Sequence, residues 1–353
     1  MASRLPDPGV ESYGEAPPPL PFLGKEGAAG GKEGAIAEAF KADERFLWGL
    51  CYRLTGIAAD ADDLVQETFV RAIERPPAQT GEAWRPWLVR VALNLGRDLL
   101  RRRRRRRYAG PWLPTPIETG DEAALAAYEP TVAAGQTTEG RYDLLESVSF
   151  AFLIALEALT PQQRAVLLLR DVFDYTVRET SDALGLSEAN VKTTHHRARR
   201  AMHAYDRSRC VPTRRLQEQT RHALERLVTG LSSGDIHAVE SVLADGVRAL
   251  SDGGGEFAAA MAPVVGRRRV GRLYLGLAGK RPAGTMEVRM LNGLPAVIVS
   301  FAAPPAGVPS HLLPRLAPRL VIRCDVDDGG RIIVLHSVLA TRKLSALRFA
   351  ASS

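Results

Sequence analysis

Residues Thr176–Met202 read TVRETSDALGLSEANVKTTHHRARRAM, and this stretch governs how the rest of the chain is understood. Thr176 is a good N-cap. Glu179, three residues on, can reach back to the cap's backbone amide, which predicts a capping box at a helix start. Gly185 stops that helix, Leu186 supplies an apolar plug, and Ser187 caps a second helix. Along the second helix Val191, His195, Ala198 and Met202 recur on one face, the predicted packed side. Ala189, Lys192, Thr193, His196, Arg197 and Arg200 then point outward, offering cations for phosphates and short polar groups for base edges. The pattern predicts a helix-turn-helix whose second helix meets DNA. A bundle with a glycine turn and a solvated basic face is the competing reading, and the coincidence of turn, caps and positive charge favours DNA. The motif alone does not separate a repressor, an activator and a polymerase subunit.

With 353 residues, 45% of them hydrophobic, the chain has room for two or three domains with real cores. Its net charge of +7 is modest. That charge is concentrated in Arg85–Arg107 and Lys192–Arg215, a clustering that points to nucleic acid. No apolar window is long enough for a bilayer and no basic-then-apolar leader opens the sequence, so a cytoplasmic protein without a membrane partner is expected. Cys51, Cys210 and Cys324 lie far apart without metal-ligand spacing and read as reduced structural residues; neither a metal nor a cofactor is expected.

Outward from the motif, residues 1–34 are rich in Pro, Gly, Ala and Glu and are expected to be a disordered tail. From 35 to 107 the pattern is helical, with Phe46, Leu47, Leu50, Cys51 and Leu54 in one helix. Leu64, Val65, Thr68, Phe69, Ala72 and Ile73 mark the next. Trp84, Trp87, Leu88, Val91, Ala92 and Leu95 mark a third, with Pro86 in its first turn. Arg101–Arg107 continues it as an unbroken arginine run, read as phosphate contact over a merely solvated tail because it ends an amphipathic helix. Residues 108–143, with Pro111, Pro114, Pro116, Pro130 and a scatter of Asp and Glu, are expected to be a flexible acidic linker. Residues 144–209 form a second helical domain, in which Thr160, Pro161 and Gln163 give another N-terminal signal. Residues 211–345 change character. A long helix over Thr213–Leu231 and a short one over His237–Leu243 precede two hairpins, Met286–Met290 with Ala296–Phe301 around Asn292-Gly293, and Leu320–Val326 with Ile332–Leu339 around Asp328-Gly329-Gly330. The fold class expected is multidomain: two all-α domains followed by an α+β domain.

Asp60–Ile73, DADDLVQETFVRAI, with Trp84–Arg102, WRPWLVRVALNLGRDLLRR, and the later helix-turn-helix resemble the extracytoplasmic-function sigma factors of the bacterial sigma-70 superfamily. The resemblance spans about Ile36 to Arg207. It implies that the helix carrying Asp62, Asp63, Gln66, Glu67 and Arg71 docks on the clamp coiled coil of the largest subunit of core RNA polymerase. Alternating acid, amide and cation suit such an interface rim. It further implies that Arg90, Asn94, Arg97, Arg101 and Arg102 meet the minus-ten element, with Asn94 set to pair an extruded base. Trp84 and Trp87 offer stacking faces but read better as helix entry and core. Lys192, Thr193, His196, Arg197 and Arg200 would meet the minus-thirty-five element. His195 stands where the family usually places an apolar residue, which implies either looser packing or a partly buried imidazole.

The segment beyond the helix-turn-helix resembles SnoaL-like members of the NTF2-like superfamily, cone-shaped α+β folds with an apolar pocket for a small-molecule ligand. Three pieces carry the likeness to the sigma subgroup with this extension: GPWLPTPI at Gly110–Ile117, SDGGGE at Ser251–Glu256 and NGLPA at Asn292–Ala296. Trp112, Leu113 and Pro114 are thereby expected to work with Asp252, Gly253, Gly254 and Gly255 as a regulatory element, the glycines allowing close backbone approach. A plain turn is the competing reading of the glycines. Thr341–Leu347, TRKLSAL, only partly matches the subgroup's terminal NPDKL. Asp252, His311, Asp325 and His336 are the titratable candidates for chemistry in the pocket, but no pair has informative spacing, so no enzyme is expected. The leading expectation is a promoter-specificity subunit regulated by its C-terminal domain. A stand-alone ligand-responsive repressor is the main rival, and the DDLVQETF helix, which a repressor does not need, stands against it.

Overall fold

The computed structural model describes residues 30–75, 84–105, 108–119, 141–280, 283–301 and 315–349. The expected tail therefore lies outside the described residues up to position 29, and so do Arg106, Arg107, His311 and the linker over 120–140. Three helices come first: α1 (Gly30–Thr55), α2 (Ala58–Glu74) and α3 (Trp84–Arg105). Then come α4 (Leu144–Ser147), α5 (Phe150–Ala155), α6 (Pro161–Asp171), α7 (Val177–Leu184) and α8 (Glu188–Asp206). Local chemistry sets these boundaries. Thr160 and Thr176 each accept a hydrogen bond from the third helical residue, Gln163 and Glu179, whose side chains return the bond to the cap amide. Gly185 ends α7 in the left-handed conformation at φ 63°.

The two helical domains share one core. A single cluster of buried apolar residues runs from Phe46 of α1 through Leu93 of α3 and Leu167 of α6 to Met202 and Tyr205 of α8. Two buried arginines cross between them. Arg53 donates to Ser147 Oγ at 2.7 Å and to the Leu144 carbonyl at 3.0 Å, while Arg164 donates to the Leu54 carbonyl at 3.0 Å. Burial pulls the Arg164 guanidinium down to about 10 despite Glu157 2.9 Å away.

The C-terminal part comprises α9 (Arg214–Ser233), α10 (Ile236–Val242), β1 (Leu243–Asp252), β2 (Val264–Val265), α11 (Arg267–Lys280), β3 (Ala283–Leu291), β4 (Leu294–Phe301), β5 (Arg319–Val326), β6 (Ile332–Val338) and α12 (Thr341–Leu344). Among the described residues its six strands lie in the order β2-β1-β6-β5-β4-β3, antiparallel except for the β1–β6 pair. One sheet face, with Val247, Val297, Val299, Cys324 and Leu335, packs on Leu224, Leu227, Val270 and Tyr274 of α9 and α11. The other, with Ala296, Ile298, Val321 and Val338, packs on Leu113 of the interdomain segment and Phe150 of α5. β4 is therefore buried on both sides, and its sequence LPAVIVSF is nearly continuous in apolar residues instead of alternating.

Several expectations are corrected. The flexible linker is ordered where it is described: Leu113, Thr115 and Ile117 are fully buried, because extended backbone there finds partners on both sides. Ile73 does not join the core of α2; it is 64% exposed beside Val70, one residue past the apolar stripe. The sequence pattern marks no element over β1, β2 and α11; in α11, Arg267–Arg269 and Gly271 obscure the helical period. The three thiols are free. Burial pushes Cys51 up to about 12 and Cys210 to about 11.

Candidate nucleic-acid interface

On α8, Lys192, Thr193, His196, Arg197 and Arg200 are all exposed on one side, and Val191, Thr194, Ala198, Met202 and Tyr205 are buried on the other. The helix is held from beneath by Asp171, the last residue of α6. Its carboxylate sits 2.9 Å from His195 Nε2 and accepts two bonds from Arg199. Burial of Asp171 opposes ionisation, but these two partners outweigh it and hold the carboxyl below its ordinary value. His195 is thus half-buried and aimed at a carboxylate where an apolar residue was expected.

Asp62, Asp63, Gln66, Glu67 and Arg71 are exposed on α2. Glu67 and Arg71 pair at 2.9 Å, and Asp62 accepts from the Trp48 indole nitrogen at 2.6 Å. On α3, Arg90, Asn94, Arg101 and Arg102 are exposed, but Arg97 is not. It is only 9% exposed and donates to Asn94 Oδ1, so its expected phosphate contact is not open in this conformation; Arg97 lies on the face that α3 turns inward with Leu93 and Leu100. Other arginines of α3 reach the second helical domain: Arg90 donates to the Asp182 carbonyl, and Arg103 to Glu157 at 2.6 Å. Trp84 and Trp87 meet edge-on at 6.4 Å and pack against the core.

The interdomain segment and the C-terminal domain meet these helices in one junction. Asp252, fully buried at the end of β1, accepts from Tyr108 Oη at 2.5 Å, from the Leu113 amide at 2.7 Å and from Lys343 Nζ at 2.5 Å. Lys343 also donates to the Leu113 carbonyl and lies 4.7 Å from the ring centres of both Tyr108 and Trp112. Burial pulls its ammonium down to about 8, although Asp252 favours the charged form. Trp112 covers Gly56 in the α1–α2 turn so closely that a Cβ there would lie 2.6 Å from the indole. Gly254 adopts φ 63°, and a Cβ on it would lie 2.7 Å from that of Ala340, so the run of glycines serves close packing. Next to Lys343, Arg342 reaches α2 and pairs with Asp60 at 2.9 Å and Asp63 at 2.7 Å.

Residues 39–106 match the model of Sigma-70 region 2, and residues 150–202 match that of Sigma-70 region 4. The ECF RNA polymerase sigma factor SigJ of Mycobacterium tuberculosis is 32% identical over 292 residues, covering 82% of this chain and 87% of its own length. The chain belongs to the ECF RNA polymerase sigma factors. The probable ECF RNA polymerase sigma factor SigI of the same species is 28% identical over 317 residues, 89% of this chain and 96% of its own length. A crystal structure of the M. tuberculosis factor SigJ superposes with a TM-score of 0.63 at 27% identity, covering 87% of this chain and 97% of that one. The two sigma regions are followed here by an α+β domain, and the SigJ superposition extends over it.

In this ECF factor Leu113 meets Asp252 directly, Trp112 lies against Lys343, which holds the same carboxylate, and Gly254 packs on Ala340 and Tyr108. Tyr108, Arg342, Lys343 and Asn292 went unnamed as site residues. The signal for Lys343 was present in the partial TRKL match, whereas Tyr108 and Arg342 carried none. An open groove of about 460 Å³ lies between α10, β1 and the start of α11, lined by Glu240, Asp245 and Arg267–Arg269, and its charged character differs from the apolar pocket expected for a ligand. Of the candidates for chemistry, Asp252 is committed to the junction. Asp325 lies 3.9 Å from His336, whose imidazole is buried against Phe150 and pulled down to about 4, chiefly by desolvation. No described helix is long and apolar enough to cross a membrane.

Proposed function

We propose that this sigma factor works as a bipartite reader held closed by its own C-terminal domain. The exposed face of α2, with Asp62, Asp63, Gln66, Glu67 and Arg71, meets the clamp coiled coil of core RNA polymerase. Arg90, Asn94, Arg101 and Arg102 meet the opened minus-ten region, joined by Arg97 once Asn94 releases it. Lys192, Thr193, His196, Arg197 and Arg200 meet the minus-thirty-five duplex, with cations on phosphates and short polar groups at base edges. The carrying observation for regulation is Arg342, which reaches from the C-terminal domain to Asp60 and Asp63 on the helix proposed to hold polymerase. A cation already seated on that acidic face competes with any basic partner. The chemistry is binding throughout, and no residue is assigned a catalytic step. A small-molecule ligand of the C-terminal domain would act by shifting this closed state, and only through differential affinity for closed and open forms.

Multi-round transcription with core polymerase and promoter DNA tests the reading. The full chain is expected to direct initiation, Glu67→Ala to weaken core binding, and Arg342→Ala to strengthen it. Tight duplex binding by the chain alone, with no polymerase-dependent initiation, would point instead to a repressor.

A further inference from the structure

The side chain of Asn292, in the β3–β4 turn, reaches α1, the second sigma domain and the interdomain segment. The residue is fully buried and holds φ 53°. Its Nδ2 donates to Tyr52 Oη on α1 at 2.7 Å and to the Val148 carbonyl of the second sigma domain at 2.8 Å. Its Oδ1 accepts from the Ile117 amide of the interdomain segment at 3.0 Å, and its backbone amide donates to the Ile117 carbonyl at 2.9 Å. The amide can sit only one way round. The single phenolic hydrogen of Tyr52 goes to the Thr115 carbonyl at 2.7 Å, so that oxygen must accept from Asn292, and the Val148 carbonyl can only accept.

Tyr52 also leads outward to the proposed polymerase face. Its ring stacks on Trp48 with centroids 5.2 Å apart and planes inclined by 12°. The Trp48 indole nitrogen donates to Asp62. The contacts thus run unbroken from Asp62 through Trp48 and Tyr52 to Asn292, and from there to the interdomain segment, the second sigma domain and the C-terminal sheet.

We propose that Asn292 couples docking on the α2 face to release of the C-terminal domain and of the second sigma domain. The inference rests on the reading of α2 as the polymerase face. A partner that takes the Asp62 carboxylate removes the acceptor that orients Trp48, and the indole then no longer fixes the stacked Tyr52 ring. Asn292 is fully buried and loses an acceptor, and a buried donor without a partner disfavours the closed arrangement. Because linkage is reciprocal, weakening the Asn292 node must strengthen docking by the same factor. Asn292 is a positioning residue in this scheme and touches neither polymerase nor DNA.

The test uses the full chain and core RNA polymerase. Asn292→Ala is expected to bind core at least about fivefold tighter than the natural chain, the lower end of ordinary coupling between sites. In the natural chain, saturating core is expected to speed amide hydrogen exchange at Ile117 and Gly293, whose amides are held by Asn292 and by Thr119 Oγ1. Trp48→Phe keeps an aromatic ring but removes the indole donor, and is expected to lower that acceleration. Tyr52→Phe, which removes one oxygen, serves in place of Asn292→Ala if circular dichroism shows the latter to be unfolded. If the variant exchanges faster at Ile117 but its core affinity stays within about twofold of the natural chain, Asn292 is merely structural and the proposal is overturned. If Asp62→Ala and Glu67→Ala leave core affinity unchanged, the α2 reading fails as well, and the proposal falls with it for that separate reason.

Discussion

Helices α3 and α8 begin from similar material, arginines along one side of an amphipathic helix, and end in opposite situations. The outward set of α8 is open to solvent, while Arg90, Arg97 and Arg103 of α3 are engaged with the second helical domain or with α3 itself. The difference follows from what lies opposite. α8 rests on α6 and leaves its far side free, whereas α3 lies between two domains that share one core. The face of α2 proposed to hold polymerase is intermediate, exposed but with Asp63 already paired to Arg342. On the proposed closed state the first domain is withheld more than the second, and regulation through the junction is expected to act on polymerase and minus-ten binding before it touches minus-thirty-five recognition.

The largest effect expected is from breaking the junction at its most buried point. Asp252→Ala strands the Lys343 ammonium among Tyr108, Trp112 and Leu113, and removing one partner of a buried pair costs about 3–5 kcal/mol. Urea unfolding is expected to show that loss, together with faster exchange of the Leu113 amide. If the mutant stays as stable as the natural chain, the junction is not what holds the domains together. Arg342→Ala is a milder way to sharpen the contrast between α2 and α8. The side chain is 61% exposed, so its pairs are worth about 0.2–1 kcal/mol after screening, and core affinity is expected to rise modestly with no change in duplex binding.

On α8, Arg197→Ala is expected to weaken minus-thirty-five duplex binding in the holoenzyme and to reduce the salt slope by about one, the signature of one lost phosphate contact. An unchanged slope would remove Arg197 from the interface. The smallest effect expected is in pH dependence. His336 is buried against Phe150, with Asp325 favouring its charged form and Arg323 and Arg248 opposing it. Its folded value of about 4 lies below the ordinary 6.5, so its contribution is complete above 6.5 and is lost as pH falls toward 4. His336→Gln is expected to flatten that part of the stability curve in thermal melts, while exchange on α8 stays the same.

The helix-turn-helix was legible because its signals are local: a cap and its partner three residues on, a glycine at the stop, and one apolar face. The hairpin around Asn292-Gly293 was legible for the same reason, since both residues take positive φ in a two-residue turn. The burial of Arg97 and the exposure of Ile73 were not legible, because helical periodicity gives the apolar stripe but not its edges, which depend on what packs beside the helix. The interdomain segment was misread because proline-rich, acidic sequence looks the same whether it is solvated or laid between two surfaces.

By itself the sequence determined the family and the two sigma regions, and it marked the groups proposed to meet DNA and polymerase, because each depends on residue types at fixed short spacings. Only the tertiary structure decided which of those groups are free. Asp252 meets Lys343, Arg342 meets Asp63, and Asn292 meets Tyr52 across separations of 91, 279 and 240 residues. No local pattern encodes such meetings; they arise because burying both faces of one sheet brings distant polar groups together, and there each must find a partner.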